Sequence, residues 1–179
     1  MKFISLPLDG AYVVELEQKY DDRGYFARGF CSKEFGDYDL TSNFVQMNNS
    51  FSTKKGTIRG MHYQENPAME SKLVRCVRGS IWDVIIDMRP DSLTYLDYYE
   101  IELSEKNQLS LFIPPMFAHG NQTLCDDTEL LYLTGDYYTP ACERGVCPFD
   151  PSLAIKWPLQ VSSISKKDSS WPLLNLNRY

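Results

Sequence analysis

The chain of 179 residues predicts an all-β protein, an antiparallel double-sheet barrel of the jelly-roll type with a few short helices. Three observations point there. Roughly eight strand-length runs are rich in β-branched and aromatic residues. Ten glycines and ten prolines are scattered as turn punctuation and form no linker. Helical periodicity is weak along the whole chain. With 43% hydrophobic and 23% charged residues, and no repeat or low-complexity run, residues 1–179 are expected to form a single domain.

The runs follow in order. The first centres on Val13, and the next is the aromatic run 25–30. Residues 44–48 place Gln46 and Asn48 on one face, where two amides line a site or simply meet solvent. Runs 72–77, 95–103, 108–113 and 129–134 carry the same β-branched and aromatic signature. The clearest run is 80–88: Trp82, Val84, Ile86 and Met88 alternate with Ile81, Asp83, Ile85 and Asp87. One face is then wholly apolar and the other mixed, as for a strand dividing a core from a lined cavity or solvent. Gly79, between Arg78 and Ser80, reads as the turn of a tight hairpin. Residues 32–35 predict a helical turn, and 165–168 resemble a capping box.

Charge and cysteine content exclude several function classes. A net charge of −6 and a pI near 4.9 argue against nucleic acid, because phosphate binding needs a basic surface. An anionic ligand would need a local basic pocket. Five cysteines, an odd number without CxxC spacing, indicate neither a disulfide framework nor a zinc ribbon and suit a reducing cytoplasm. The first residues match neither a signal peptide nor a spanning helix, and no run reaches 18 apolar residues, so a soluble, unexported protein without a membrane partner is expected.

Only two histidines occur, His62 and His119. A cupin-like barrel that binds metal usually offers more, so a metal site would depend on scattered oxygen ligands, and none is expected. A strand histidine can serve as a core hydrogen-bonding group, but the surroundings of His62 argue for a site. Arg59, Lys72, Arg75 and Arg78 follow closely, a costly lining unless an anion such as a phosphate is bound. Strand parity puts His62 with Gly60 and Gln64 and turns Arg59 away, unless a bulge at Gly60 brings both inward.

Taken together, several runs resemble the dTDP-4-dehydrorhamnose 3,5-epimerase family of cupin-type nucleotide-sugar epimerases. They are Asp22-Arg23-Gly24-Tyr25-Phe26, Phe44-Val45-Gln46-Met47-Asn48, Arg59-Gly60-Met61-His62-Tyr63-Gln64, Lys72-Leu73-Val74-Arg75-Cys76, Phe117-Ala118-His119-Gly120, Leu131-Tyr132, Asp136-Tyr137-Tyr138, Glu143-Arg144-Gly145 and Ser165-Lys166-Lys167-Asp168. The resemblance implies a double-stranded β-helix, a homodimer and cofactor-independent epimerisation at C3 and C5 of a nucleotide-linked 4-keto-6-deoxyhexose. Hydrogens flanking the C4 ketone leave as protons to give an enolate, and reprotonation from the opposite face inverts the centre.

By the same resemblance His62 is the base and Asp168 its partner. Lys72 steadies the enolate oxygen, and Tyr132 is the acid across the ring. Arg23, Gln46, Asn48, Arg59, His119, Glu143 and Lys167 hold the diphosphate and sugar, while Phe26 and Tyr138 stack on the base. On residue chemistry alone, Tyr132 reads first as a core aromatic, and His119 reads equally as a loop residue. Arg28, Met47 and Asn49 depart from the family pattern at what the resemblance makes the nucleotide end. The alternatives are a 3-epimerase, an epimerase of another nucleotide sugar, a non-catalytic sugar-nucleotide-binding cupin and a metal-dependent cupin oxygenase.

Overall fold

The computed structural model describes residues 1–41 and 43–174. Two six-stranded sheets face one another across a common interior. The first contains β1 (Lys2–Ser5), β2 (Tyr12–Glu15), β5 (Gln46–Ser52), β7 (Lys72–Arg78), β10 (Ser110–Ile113) and β12 (Thr128–Thr134), in the order β1-β2-β10-β7-β12-β5. The second contains β6 (Thr57–Gln64), β8 (Ser80–Asp87), β9 (Tyr98–Ser104), β11 (Phe117–Thr123) and β13 (Glu143–Gly145), in the order β13-β6-β11-β8-β9. A two-residue strand, β14 (Ser163–Ile164), adds to β6 in parallel. A separate ribbon pairs β3 (Lys19–Asp21) with β4 (Gly24–Phe26). Two short helices, α1 (Ser32–Gly36) and α2 (Lys166–Ser169), and a 3-10 turn at Pro140–Cys142 complete the described elements. This is the jelly roll expected from the strand pattern, of the cupin type that the resemblance implies.

Three apolar clusters hold the layers. Inside the barrel, alternate residues of both sheets meet: Val13, Val74, Cys76 and Leu111 from the first against Ile81, Ile85, Leu103 and Phe117 from the second. Outside the first sheet, Phe35 of α1 is fully buried against Phe3, Phe30 and Phe112, with ring centroids 5.0 to 5.9 Å apart. Outside the second sheet, Val84 and Ile86 are covered by Val146, Leu153 and Trp157 of the C-terminal arm. The wholly apolar face of β8 is therefore buried under this arm, and its mixed face looks into the barrel.

The structure corrects some boundaries. Gly79 does not close a hairpin, because β7 and β8 belong to opposite sheets; its φ of 78° turns the chain across the corner between them. The run 25–30 is a strand only to Phe26, since Phe30 is drawn into the aromatic cluster around Phe35. Phe44 packs there too, so β5 begins at Gln46. Residues 32–35 do form a helix, and Ser165 does cap the other one. The five cysteines are unpaired, and no described helix is long and apolar enough to cross a membrane.

Gly60 provides the bulge that parity requires. Along β11, His119 and Asn121 are two residues apart, yet they pair with His62 and Arg59, three apart on β6. The extra residue lets Arg59 and His62 both reach the interior. Gly60 sits at φ 122°, and a Cβ there would lie 2.5 Å from the Gly120 Cα, so no other residue fits without displacing the neighbouring strand.

Candidate active site

A cavity of about 580 Å³ opens between the sheets at one end of the barrel, a volume typical of small-molecule sites. Strand alternation selects its lining. Gln46, Asn48 and Ser50 come from β5, Lys72 from β7, and Leu130, Tyr132 and Thr134 from β12. The opposing sheet supplies Arg59, His62 and Gln64 from β6, His119 and Asn121 from β11, and Glu143 from β13. Helix α2 adds Lys167 and Asp168, and its cap adds Ser165.

His62 Nε2 lies 2.7 Å from Asp168 Oδ1, across 106 residues of chain. The carboxylate is buried, and its other oxygen accepts the Gly60 N–H at 3.3 Å. Ser165 Oγ accepts the Asp168 N–H at 3.0 Å, which anchors the start of α2. In a reciprocal capping box the acidic side chain would bond back to the cap; here it is turned to His62 instead. Burial would push the Asp168 carboxyl up, but the bonds from His62, Gly60 and Ser165 outweigh it and hold it below the usual range. An ionised Asp168 on Nε2 leaves Nδ1 as the nitrogen available for proton transfer. Trp171 presents its ring edge to the imidazole at 6.0 Å.

Lys72 and Tyr132 stand on the opposite sheet. The Lys72 ammonium is 3.0 Å from Glu70 Oε1 and donates to the His62 carbonyl at 3.4 Å. Tyr132 packs against the interior cluster and also lines the cavity, so its two sequence readings are both met. Burial raises its phenol above the ordinary value, the Glu70 carboxylate raises it further, and Arg59 opposes them. An imidazole and a protonated phenol on opposing walls can act on opposite faces of a ring held between them.

The rest of the lining is pre-ordered. His119 Nε2 is 2.7 Å from Asp83 Oδ1, whose side chain is fully buried. Arg59 crosses to β5, donating to Ser52 Oγ and the Phe51 carbonyl at 3.0 Å each, and has no carboxylate partner among the described residues. Tyr138 donates its hydroxyl to Glu143 at 3.1 Å and its N–H to Gln46 Oε1 at 2.8 Å, while Lys167 pairs with the other Glu143 oxygen. No three His, Cys, Asp or Glu side chains gather as a metal ligand set among the described residues.

Eleven of the thirteen residues singled out in the sequence thus line one cavity: Gln46, Asn48, Arg59, His62, Lys72, His119, Tyr132, Tyr138, Glu143, Lys167 and Asp168. Arg23 and Phe26 do not. They project from the β3–β4 ribbon, where Arg23 pairs with Asp21 at 2.6 Å and Phe26 is 71% exposed. Two of the four basic residues near His62 also miss the cavity: alternation turns Arg75 to the outer face of β7, and Arg78 is exposed beside Asp127. Arg28 pairs with Glu34, Asn49 with Glu129, and Met47 faces outward, so none of these three lines this chain's cavity, whereas Asn121, more polar than the family's usual residue there, does.

Sequence reasoning missed Gln64, Glu70, Asp83 and Trp171 as site residues. Gln64 is 2% exposed and ties three loop groups together, donating to the Ala68 and Tyr137 carbonyls and accepting the Thr139 N–H. Two of the four carried a readable signal. Asp83 stands between Ile81 and Ile85 on an inward face, and Glu70 is two residues from Lys72 and hence on the same side of an extended chain.

A family model described as dTDP-4-dehydrorhamnose 3,5-epimerase matches residues 5–175. The chain is 40% identical to the dTDP-4-dehydrorhamnose 3,5-epimerase of Methanothermobacter thermautotrophicus, over 98% of this chain and 96% of that protein. It superposes on the crystal structure of the Bacillus anthracis enzyme of the same name, solved with TDP and PPi bound. The TM-score is 0.93 and the identity 39%, over 97% of this chain and 99% of that one. A third similarity is to a dTDP-6-deoxy-D-glucose-3,5-epimerase from Legionella pneumophila in complex with dTDP-4-keto-L-rhamnose. Its TM-score is 0.91 at 36% identity, over 98% of this chain and 93% of that one.

Proposed function

The chain belongs to the dTDP-4-dehydrorhamnose 3,5-epimerase family, and from that premise we propose that it inverts C3 and C5 of dTDP-4-dehydro-6-deoxy-D-glucose or a close relative, with His62 as base and Tyr132 as acid. The observation that carries this reading is the buried His62–Asp168 pair facing Tyr132 and Lys72 across one cavity.

The sugar lies between the two sheets with its C4 oxygen toward Lys72. Nδ1 of His62 takes the proton from the carbon next to the ketone, and the imidazolium formed is stabilised by Asp168 through Nε2. The electron pair moves onto the C4 oxygen, where the Lys72 ammonium meets the developing charge; one such donor contributes on the order of 3 kcal/mol. Tyr132 returns a proton from the opposite sheet, so the centre inverts. No step calls for a redox or metal cofactor.

Arg59 and His119 hold the diphosphate, with Gln46, Asn48, Glu143 and Lys167 completing the polar contacts and Tyr138 stacking on the base. Arg23 and Phe26 enter through a homodimer. Tyr20 (71% exposed), Phe26, Met47 (65%) and Phe51 (46%) leave an apolar surface along the ribbon and the β5 edge that a second copy would cover, bringing the ribbon to its neighbour's cavity. A cytoplasmic enzyme fits the unpaired cysteines.

Incubation with the 4-keto sugar nucleotide in deuterated water tests the reading. Deuterium is expected at both C3 and C5, and His62→Asn is expected to abolish it. Label at C3 alone would refute the double epimerisation, and undiminished exchange in His62→Asn would refute the base.

A further inference from the structure

We propose that Glu70 is a positioning residue of this site, one that turns Lys72 from a flexible cation into one fixed in place toward the ligand. The inference rests on the proposed function for its chemistry and on the cavity for its geometry.

Lysine is ordinarily a mobile point charge on a four-carbon stem. Lys72 is not free in this way. Its side chain and that of Glu70 are each only 11% exposed, and the ammonium is held from two sides, by an ion pair with Glu70 Oε1 at 3.0 Å and by a hydrogen bond donated to the His62 carbonyl at 3.4 Å. An ammonium carries three N–H donors, so with one given to the main chain and the charge drawn to the carboxylate, a donor remains for an oxygen inside the cavity. The His62 carbonyl belongs to the residue that removes the proton, so the remaining donor is set relative to the base by main chain as well as by carboxylate.

Glu70 is itself held in place. Gln64 donates to the Ala68 carbonyl at 3.0 Å, and the Gly135 N–H donates to the Ser71 carbonyl at 2.9 Å, fixing the chain on both sides of Glu70. A carboxylate at this point also keeps a lysine and a nearby arginine from facing each other unneutralised in a half-dry cavity.

The same charge acts on Tyr132. Burial raises the phenol first and Glu70 second, with Arg59 opposing. The other titratable groups sharing the cavity are Lys72, His62, Tyr63, His119, Tyr138 and Asp168, with the Glu143–Lys167 pair at its edge. Glu70 therefore serves both partners on its wall: it aims the cation and helps keep the acid protonated.

The test compares wild type with Glu70→Gln and Glu70→Asp. In Glu70→Gln, kcat for exchange should fall about 10- to 100-fold, the worth of one misdirected charge-assisted donor, while dTDP binding stays unchanged. With tyrosine labelled at 13Cζ and the Tyr132 signal assigned by Tyr132→Phe, its titration midpoint should drop, because the carboxylate that helps keep the phenol protonated is gone. Glu70→Asp keeps the charge but draws it back by one methylene, so the midpoint should stay near wild type while kcat still falls. An unmoved midpoint in Glu70→Gln, wild-type kcat in either variant, or a parallel loss of dTDP affinity would overturn the proposal. The titration needs no substrate. Wild type that exchanges nothing would sink the proposed function, and the titration would still decide whether Glu70 governs Tyr132; if Glu70→Gln does not fold, the kinetics of Glu70→Asp decide the aim of Lys72.

Discussion

Replacing Asp168 by Asn removes one charge and almost no volume. The carboxylate accepts from His62 at 2.7 Å and from Gly60 at 3.3 Å in a buried position. Losing a charge-assisted bond of this kind costs about 1.5–3 kcal/mol, or roughly 10- to 150-fold in rate, through the imidazolium that forms on proton abstraction. An amide can also present its NH₂ group to Nε2. That favours the tautomer with a proton on Nδ1 and leaves no lone pair for the base, a further loss of the kind known for an Asp-to-Asn change behind a catalytic histidine. The expected outcome for Asp168→Asn is a fall in kcat of about 10²- to 10⁴-fold with KM changed by less than about threefold. Mass spectrometry of deuterium incorporation gives the rate, and circular dichroism with a melting curve checks the fold. Ser165→Ala is the companion: it keeps the carboxylate but loses the 3.0 Å cap, a cost of about 1 kcal/mol to α2, and should slow exchange about tenfold at most. A folded Asp168→Asn protein exchanging within tenfold of wild type would refute the dyad as the source of base strength.

Gly60→Ala should lower stability by roughly 3 kcal/mol, from backbone strain at φ 122° together with a Cβ 2.5 Å from the Gly120 Cα, and a melting temperature within about 2 °C of wild type would contradict this. Asp87 carries a structural pH dependence: burial pushes its carboxyl up, but bonds from Arg89, Ser92 and Thr94 prevail and hold it at about 2. Because the folded value lies below the ordinary one, its contribution of about 2 kcal/mol is fully present above about pH 4 and lost as pH falls toward 2. Asp87→Asn should therefore be less stable than wild type at pH 7 and converge with it near pH 2; parallel denaturation curves across that range would count against it. Gln64→Leu leaves the Thr139 N–H and the Ala68 and Tyr137 carbonyls without their partner, so a loss of about 3 kcal/mol or more is expected by chemical denaturation, with a raised KM from displacement of Tyr138. Elemental analysis of the purified protein should find no stoichiometric transition metal, and full activity should survive chelation; one bound iron per chain would require a different mechanism.

The strand most legible in the sequence is β8, whose two faces differ plainly; β7 has two mixed faces and was legible from its β-branched residues instead. Strand β11 was not, because Ala118 and Gly120 alternate with His119 and Asn121, and a polar inner face makes a cavity strand look like a loop. The hairpin at Gly79 failed for a different reason. A glycine between two strand patterns marks a turn, but whether the chain returns to the same sheet depends on which partners each strand finds, and these lie far along the sequence. The bulge at Gly60 was recoverable because two residues of opposite parity both had chemical reasons to face inward. Glu70 and Asp83 went unassigned although alternation marks both, since a carboxylate on an inward face acquires its role only from the cation or histidine that the fold brings to it. Arg23 and Phe26 matched the pattern by type but stand on a ribbon outside their own chain's cavity, a placement that local sequence does not encode.

The long separation between His62 and Asp168 also bears on how the protein is made. By Thr134 at the end of β12, synthesis has supplied both faces of the barrel and most of the lining, including the imidazole and the phenol. The carboxylate paired with the imidazole arrives only with α2, after the residues Val146, Leu153 and Trp157 that cover the second sheet have been made. A nascent or clipped chain lacking that helix holds a histidine without its partner and a cavity open on one side. Under the proposed mechanism, competence to remove a proton is thus deferred until α2 is in place, and turnover becomes a readout of whether that helix has docked.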